Sequence, residues 1–298
     1  MLPPSHKTER DLVIGVDGGG TGCRARIEDG EGKVLGTGVG GPAAVRLGTE
    51  RSMSAVLQAC NAALAAAHLP EGALGTMNAA IGLAGLGRKG AVERLTACAH
   101  PFRSVRFVED AVIACIGAHG GGDGGIVIVG TGSAGIARVE GRIVKAGGYG
   151  FPISDEGSGA DLGLQALRVA LRAHDGRSPA TDFTRAVMSR FADDPFEAVA
   201  WADRATATDY ATFAPLVMRC ANAGDPVAGK IVREAAGEIG ALVNRLVEAG
   251  APRIALVGGL APHVQPWLAA DMQRLLSPPR GDALDGALEL ARGVAASF

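Results

Sequence analysis

The chain has 298 residues, a formal net charge of −2 and 47% hydrophobic residues, which is typical of a globular protein long enough for two domains. With no excess of basic charge and only 4% aromatic residues, it lacks the surface expected of a nucleic-acid-binding protein. The N-terminal segment is polar, and no apolar run approaches the ~18 residues that a bilayer span needs, so we expect neither a signal peptide nor a membrane segment.

The first part of the chain alternates between strand patterns and helical patterns. Three short strands open it, and the turn at 29–32 predicts that the last two form an antiparallel hairpin. The Ala-rich segment 51–68 carries apolar residues at helical spacing and ends before Pro70, which predicts an amphipathic helix. In chain order, the predicted elements are strands 12–16, 23–28 and 34–39, helix 51–68, strand 78–83, helix 89–99 and strand 105–108.

A glycine-rich turn at 117–125 precedes a second group of three strands, and helices then dominate the chain. The longest of these helices has clear boundary residues, with Asp225 at the N-cap, Pro226 at the first position and Gly250 after the last. The predicted elements are strands 126–129, 134–139 and 142–145, helices 156–174, 182–191, 195–204, 209–223 and 226–249, strand 253–257 and helix 282–295.

The repeated opening by a β-meander predicts a duplicated α/β architecture with a cleft between its halves. We place the first domain at residues 1–118 and the second at 119–283. The final helix, 284–298, is expected to pack back on the first domain.

Two familiar glycine motifs do not fit their required context. A P-loop needs a lysine followed by a hydroxyl residue after its second glycine, and the glycine-rich segment 82–87 has neither at that place. The dinucleotide pattern G-x-G-x-x-G occurs at 36–41 and at 130–135, but no helix follows either copy to receive a pyrophosphate. We therefore expect no nicotinamide cofactor, and we expect residues 82–85 to serve close backbone packing.

The remaining interpretation is a pair of phosphate-binding hairpins. In the segments DGGGT (Asp17, Gly18, Gly19, Gly20, Thr21) and GTGS (Gly130, Thr131, Gly132, Ser133), a glycine turn joins two antiparallel strands. Glycine lets successive backbone N–H groups approach an anion, and the hydroxyls add donors. Asp17 is a candidate Mg²⁺ ligand. Either hairpin alone is equally compatible with a plain tight turn, whereas two of them favour a bound nucleotide.

Two aspartates are candidates for the chemistry. Asp110 follows a predicted strand and begins a helix, at the kind of strand end where clefts form in α/β sheets. It is either a proton acceptor or a helix N-cap, and the neighbouring Glu109 is expected to point away. Asp155, in the segment GGYGFPISDEGSG, is either the N-cap of the next helix or a substrate ligand.

In order and spacing, VDGGGT, EDA, GTGS and GGYGFPISDEGSG resemble the sugar-kinase/Hsp70/actin superfamily, and more narrowly the BadF/BadG/BcrA/BcrD ATPase family with its amino-sugar kinases. The resemblance implies two ribonuclease-H-like (actin-like ATPase) domains. It also implies an ATP- and Mg²⁺-dependent transfer of phosphate to the 6-hydroxyl of glucosamine or N-acetylglucosamine. A small amino sugar is thus the expected partner, and a homodimer is an additional expectation because dimers are common among relatives.

The resemblance also assigns roles to residues. It places the general base at Asp110 and the nucleotide at both hairpins and at Gly258 and Gly259, after the last strand. The sugar would be bound by Asp110 together with Thr131, Gly132, Tyr149 and Asp155. One departure concerns Ala44, which stands where many relatives have an asparagine that helps to hold the sugar. Either Arg46 or water takes over that contact, or the preferred sugar differs.

Two other functions do not fit the same residues. An ATPase that activates a radical 2-hydroxyacyl-CoA dehydratase would hold an iron–sulfur cluster through paired cysteines, but the five cysteines are widely spaced. A non-catalytic sugar-binding regulator would need a DNA-binding extension, and too few residues precede the first strand. Unpaired cysteines without a C-x-x-C motif are typical of a cytoplasmic protein.

Overall fold

The computed structural model describes residues 12–293, which form two compact units. Of the described residues, the first unit contains 12–124, 140–143 and 279–293, and the second contains 125–139 and 144–278. Each unit combines one β-sheet with helices, so the predicted α/β class is confirmed. The domain boundaries predicted after residues 118 and 283 stay predictions, and the compact units divide near them.

The first unit is built on a five-stranded sheet. Its strands are β1 (Val13–Gly18), β2 (Cys23–Glu28), β3 (Val34–Gly40), β4 (Asn78–Leu83) and β5 (Ser104–Glu109). Their order is β3-β2-β1-β4-β5. β1 pairs antiparallel with β2 and parallel with β4, which in turn pairs parallel with β5. The carboxyl ends of β1, β4 and β5 therefore meet at one edge of the sheet.

The glycines of β3 explain one of the two literal G-x-G-x-x-G patterns. Helix α1 (Thr49–Ala66) packs on this strand. A Cβ atom at Gly36, Gly38 or Gly40 would lie 2.2–2.3 Å from a backbone oxygen of α1. Because alternate residues of a strand face the same side, these three glycines together make room for the helix. The pattern is thus a packing motif rather than a cofactor site.

Two further helices complete this part of the chain. Helix α2 (Ala91–Thr96) is shorter than predicted and follows Gly90, which has a left-handed φ of 73°. Helix α3 (Asp110–Ala118) begins directly after β5. Val112, Ile113 and Ile116 bury the inner side of α3, so its first residue is held firmly at the edge of the sheet.

The second unit has a four-stranded sheet. Its strands are β6 (Gly124–Val129), β7 (Ser133–Val139), β8 (Arg142–Gly147) and β9 (Ile254–Val257). They lie in the order β8-β7-β6-β9, with β6 and β9 parallel. The predicted second meander is therefore confirmed, and the last predicted strand lies beside the first strand of this sheet.

Helices pack around this sheet over an apolar core that includes Phe183, Val217 and Val232. The helices are α4 (Gly159–His174), α5 (Asp182–Met188), α6 (Pro195–Ala202), α7 (Ala207–Ala211), α8 (Ala214–Asn222), α9 (Pro226–Glu248), α10 (Ala261–Val264) and α11 (Ala270–Leu275). Helix α9 has the predicted N-cap, since Asp225 Oδ1 accepts hydrogen bonds from two N–H groups.

The prediction of one helix at 209–223 is wrong. The segment forms α7 and α8, and the break at residues 212–213 comes just before Pro215, which lies at the start of α8 and donates no backbone hydrogen bond. The prediction of helix 156–174 began three residues too early, because α4 starts at Gly159.

The last helix, α12 (Ala283–Ala291), packs on α3 and β1 of the first unit. Its N-cap Asp282 and Asp285 form a reciprocal capping box. The predicted continuation of this helix over residues 294–298 lies outside the described part of the chain. Between residues 12 and 293, no helix is long and apolar enough to cross a membrane.

Candidate functional site

The first candidate element is the hairpin between β1 and β2. Its turn is closed by the Gly19 N–H, which donates to Gly22 O at 2.8 Å. Asp17 is the last residue but one of β1, and its carboxylate accepts a hydrogen bond from Arg24 Nη2 at 2.7 Å. Asp17 is thus half-buried and already paired with a cation at the edge where β1 ends.

The glycines of this hairpin have different structural demands. At Gly18 a Cβ atom would lie 2.5 Å from Leu83 Cδ2, so packing alone explains this glycine. At Gly19 and Gly20 the nearest atom to a Cβ would lie 3.6 Å away, and neither residue has a positive φ. Neither packing nor backbone conformation therefore requires glycine at these two positions. The Gly19 N–H is used to close the turn, whereas the Gly20 N–H has no hydrogen-bond acceptor among residues 12–293 and can serve a ligand.

Asp110 is the first residue of α3, at the same edge of the sheet as the hairpin. The register aligns Gly18 with Leu83 and Leu83 with Glu109, so the three strand ends are level. The N-cap residue of α3 is Glu109, which makes no side-chain cap, and Asp110 Oδ1 accepts from the Ala111 N–H at 3.0 Å. The interpretation of Asp110 as a helix N-cap is therefore wrong.

The surroundings of Asp110 suit a proton acceptor. Burial raises the pKa of its carboxyl, and the nearby charges of Asp17 and Glu109 raise this pKa further, while the Ala111 N–H opposes the shift. The carboxylate of Glu109 lies against Gly87, where a Cβ atom would be 2.7 Å from its Oε1. The two neighbouring carboxylates thus have different surroundings.

The second hairpin joins β6 to β7. Its turn is closed by the Gly130 N–H, which donates to Gly132 O at 2.9 Å, and it is tied to the first turn of α4 by Gly159 N–H to Gly130 O at 2.8 Å. Thr131 is exposed. Ser133 is buried, and its hydroxyl donates to Glu156 O at 2.7 Å, so it braces the following loop.

Asp155 lies in the loop between β8 and α4, beside the second hairpin. Its φ of 67° is unusual for a residue other than glycine. Its Oδ1 accepts from the Gly150 N–H at 3.1 Å, and a Cβ at Gly132 would lie 2.5 Å from its Oδ2. Burial raises the pKa of this carboxyl, and the Gly150 N–H opposes the shift.

The N-cap of α4 is Ser158, whose Oγ accepts from the Asp161 N–H at 3.2 Å. Of the two interpretations of Asp155, the N-cap is therefore wrong, and a ligand role stays a prediction. Tyr149, in the same loop, has 83% of its surface exposed, so it does not serve core packing.

After β9, two adjacent glycines have different surroundings. Gly258 has a φ of 101°, and a Cβ there would lie 2.5 Å from Val129 O. A Cβ at Gly259 would meet nothing within 4 Å. The first glycine is required by the turn, whereas the second borders open space.

That open space is a cavity of about 600 Å³ within the second unit. Three predicted nucleotide-binding residues, Gly130, Thr131 and Gly259, lie in its wall. The remaining lining residues were not predicted from the sequence: Gly159, Ala211, Ala214, Pro215, Met218, Arg219, Asn222, Leu260 and His263. Most come from α7, α8 and the turn after β9, and no motif marks them in the sequence.

Comparison with known proteins finds one matching family and two similar sugar kinases. Residues 14–279 match the model of the BadF/BadG/BcrA/BcrD ATPase family. The chain is 39% identical to glucosamine kinase GspK of Vibrio cholerae, over 94% of this chain and 96% of that protein. It is 31% identical to the N-acetylmuramic acid/N-acetylglucosamine kinase of Clostridium acetobutylicum, over 79% of each chain.

Among solved structures, the chain is similar to a Chromobacterium violaceum protein provisionally assigned as an N-acetylglucosamine kinase. The two share 36% identity and superpose with a TM-score of 0.85, covering 94% of this chain and 99% of that one.

Proposed function

The chain belongs to the BadF/BadG/BcrA/BcrD ATPase family, and from this premise we propose that it is an amino-sugar kinase. It transfers the γ-phosphate of ATP to the 6-hydroxyl of glucosamine or N-acetylglucosamine. The observation that carries the proposal is Asp110, a half-buried carboxylate with a raised pKa at the edge where three parallel strands end. The near full-length similarity to a glucosamine kinase supports the substrate class.

Asp110 acts as the general base in this proposal. Phosphoryl transfer needs a carboxylate that orients the attacking hydroxyl and accepts its proton as the new phosphate–oxygen bond forms and ADP leaves. A raised pKa makes the Asp110 carboxylate a better proton acceptor than an ordinary aspartate. The hydrogen bond from the Ala111 N–H holds one of its oxygens and leaves the other for the sugar.

ATP fits the residues present. The cavity in the second unit has a volume suitable for a nucleoside, and Gly130, Thr131 and Gly259 in its wall are the positions proposed to contact ATP. Gly20 offers an N–H group for phosphate oxygens, together with the exposed hydroxyl of Thr21.

Mg²⁺ is assigned to Asp17 with the nucleotide phosphates. Between residues 12 and 293, no group of three or more His, Cys, Asp and Glu side chains is placed to hold a metal. Mg²⁺ at phosphate sites is commonly held by one or two carboxylates together with phosphates and water, which a single carboxylate here suits. When bound, the ion would neutralise phosphate charge, and Asp17 would then share its oxygens with the ion and with Arg24.

The amino sugar is proposed to contact the hairpin and loop of the second unit in addition to Asp110. Asp155, held beside Gly132, is a carboxylate suited to sugar hydroxyls, and the exposed Tyr149 supplies an aromatic face. A cytoplasmic location and a homodimer complete the proposal.

A coupled assay of ADP release from Mg²⁺-ATP tests this function. Glucosamine, N-acetylglucosamine and glucose are compared at equal concentrations, with the sugar-free protein as the background. We expect at least one amino sugar to be turned over with a higher kcat/KM than glucose. If protein that binds ATP releases ADP only at the background rate with all three sugars, the proposal is contradicted. The protein would then be a sugar-independent ATPase or a binding protein.

A further inference from the structure

Arg46 lies beside the first hairpin and has no charged partner among residues 12–293. It belongs to the short 3-10 turn Val45–Leu47, between β3 and α1. Its side chain makes no hydrogen bond or ion pair with any residue from 12 to 293. By contrast, Arg24 and Arg26 of the adjacent strand β2 are paired with Asp17 and Asp285 at 2.7 and 2.5 Å.

The backbone on both sides of Arg46 is fixed to the hairpin and to β4. The Ala43 N–H donates to Gly19 O at 3.0 Å, and the Val45 N–H donates to Ala84 O at 3.0 Å. Ala44 is buried, and its carbonyl accepts from Ser52 Oγ at 3.0 Å. The position from which the arginine extends is therefore set by hydrogen bonds to Gly19 of the hairpin, to Ala84 after β4 and to Ser52 of α1.

The guanidinium lies over the exposed tip of the hairpin. A Cβ atom at Gly20 would be 3.6 Å from Arg46 Nη2. A phosphate that accepts from the Gly20 N–H would thus come within reach of a planar cation, whose fork matches two phosphate oxygens. A sugar hydroxyl suits this side chain less well than a phosphate does, because the guanidinium lies close to the hairpin and its positive charge is not neutralised.

We propose that Arg46 binds the terminal phosphate of ATP and stabilises its charge during transfer, as a further catalytic residue. The inference rests on the proposed kinase function. Arg46 is thereby assigned to the phosphate. It is not assigned to the sugar contact that many relatives make with an asparagine at the position of Ala44.

Direct binding tests this role independently of turnover. Calorimetry with a non-hydrolysable ATP analogue and with ADP, each with Mg²⁺, compares the full-length wild type with Arg46→Ala, Arg46→Lys and Arg51→Ala. The last is a matched control, because Arg51 is an exposed arginine in the first turn of α1. We expect Arg46→Ala to weaken the binding of the ATP analogue by about 10- to 100-fold and to leave the affinity for ADP unchanged. Arg46→Lys should keep part of the affinity, since it keeps the charge without the fork.

Turnover by the same variants adds a second readout. We expect Arg46→Ala to lower kcat with either amino sugar while the KM for the sugar changes little. An equal loss of ADP and analogue affinity, or an unchanged analogue affinity with a raised KM for the sugar, overturns the proposal. If the wild type binds both nucleotides but phosphorylates no sugar, the kinase function fails, and the comparison of analogue with ADP still decides the role of Arg46.

Discussion

Gly82 of β4 lies directly beside Asp110, the first residue of α3: a Cβ atom at Gly82 would stand 3.3 Å from the Asp110 Cα. The same Cβ would overlap Ile113, one turn further along the helix, at 2.3 Å. A glycine in the neighbouring strand therefore lets the first turn of α3 approach the sheet. The position of the proposed base is set by this contact as well as by the end of its own strand.

Replacement of Asp110 by asparagine should separate binding from chemistry. The amide keeps the size of the side chain but cannot accept the hydroxyl proton, so we expect kcat to fall by at least ~10²-fold. ATP affinity should stay close to that of the wild type. Sugar phosphorylation and ATP binding are measured on the same preparation. Turnover within about threefold of wild type would contradict the assignment, since general bases contribute far more than this.

The same substitution should not destabilise the fold. Burial raises the folded pKa of Asp110 above its ordinary value of 3.8, so the ionised form costs stability at neutral pH and protonation relieves that cost. Asp110→Asn removes the charge, and its thermal midpoint at pH 7 should equal or exceed that of the wild type. A lower midpoint would indicate that the carboxylate supports the structure instead.

The pH dependence of kcat/KM should report the same carboxyl. Asp110 must be ionised to accept a proton, so activity should be lost as the pH falls through its raised pKa. The acidic limb should therefore lie above the pH at which an ordinary aspartate titrates. Circular dichroism at each pH separates titration from unfolding. Full activity maintained down to pH 4 in folded protein would argue against Asp110 as the base.

The sequence predicted the strands and the hairpins more closely than the helical part of the second unit. The segments 78–83 and 23–28 were placed at their exact bounds because strand patterns and turn residues mark them locally. Asp225, Pro226 and Gly250 marked α9 equally well. These features depend on residues that are adjacent in the sequence, so the sequence alone predicts them.

The cavity in the second unit could not be predicted in the same way. Met218, Arg219 and Asn222 of α8 line it through tertiary packing, and their residue types have no characteristic spacing. The N-cap of α4 shows the same limit, since Asp155 and Ser158 are both common caps and the loop geometry selects the second. Such outcomes depend on tertiary packing rather than on local preference.

A methyl group at Gly132 should impair the sugar site. It would lie 2.5 Å from Asp155 Oδ2, so Gly132→Ala must displace that carboxylate. We expect the KM for the amino sugar to rise about 10-fold or more, as for the loss of a charged hydrogen bond. Gly237→Ala is the control, because a Cβ there meets nothing within 4 Å and Gly237 lies on an exposed face of α9 outside the proposed site. Equal sugar KM values for both variants would show that Asp155 does not contact the sugar.

A large side chain at Gly259 should block the cavity in the second unit. A Cβ at this position meets nothing within 4 Å, so Gly259→Phe can extend into the open space without clashing with the protein. If adenosine occupies the cavity, the Kd for ATP should rise by about 10-fold or more, which corresponds to ~1.4 kcal/mol. Gly237→Phe, on an exposed face of α9, is the control. Unchanged ATP affinity in Gly259→Phe would place the nucleoside elsewhere.

Two helical glycines should respond in opposite ways to alanine. Gly117 of α3 faces α12 so closely that a Cβ would lie 1.8 Å from Asp282 O, and the backbones must separate to admit it. We expect Gly117→Ala to destabilise the protein by ~1–3 kcal/mol, as other overpacking substitutions do. Gly237, also helical, has nothing within 4 Å of its Cβ position, so Gly237→Ala should gain up to ~1 kcal/mol from helix propensity. Thermal unfolding of both variants beside the wild type checks the signs. An unchanged or higher thermal midpoint of Gly117→Ala would mean that α12 can move away from α3. That result would contradict the close contact between their backbones.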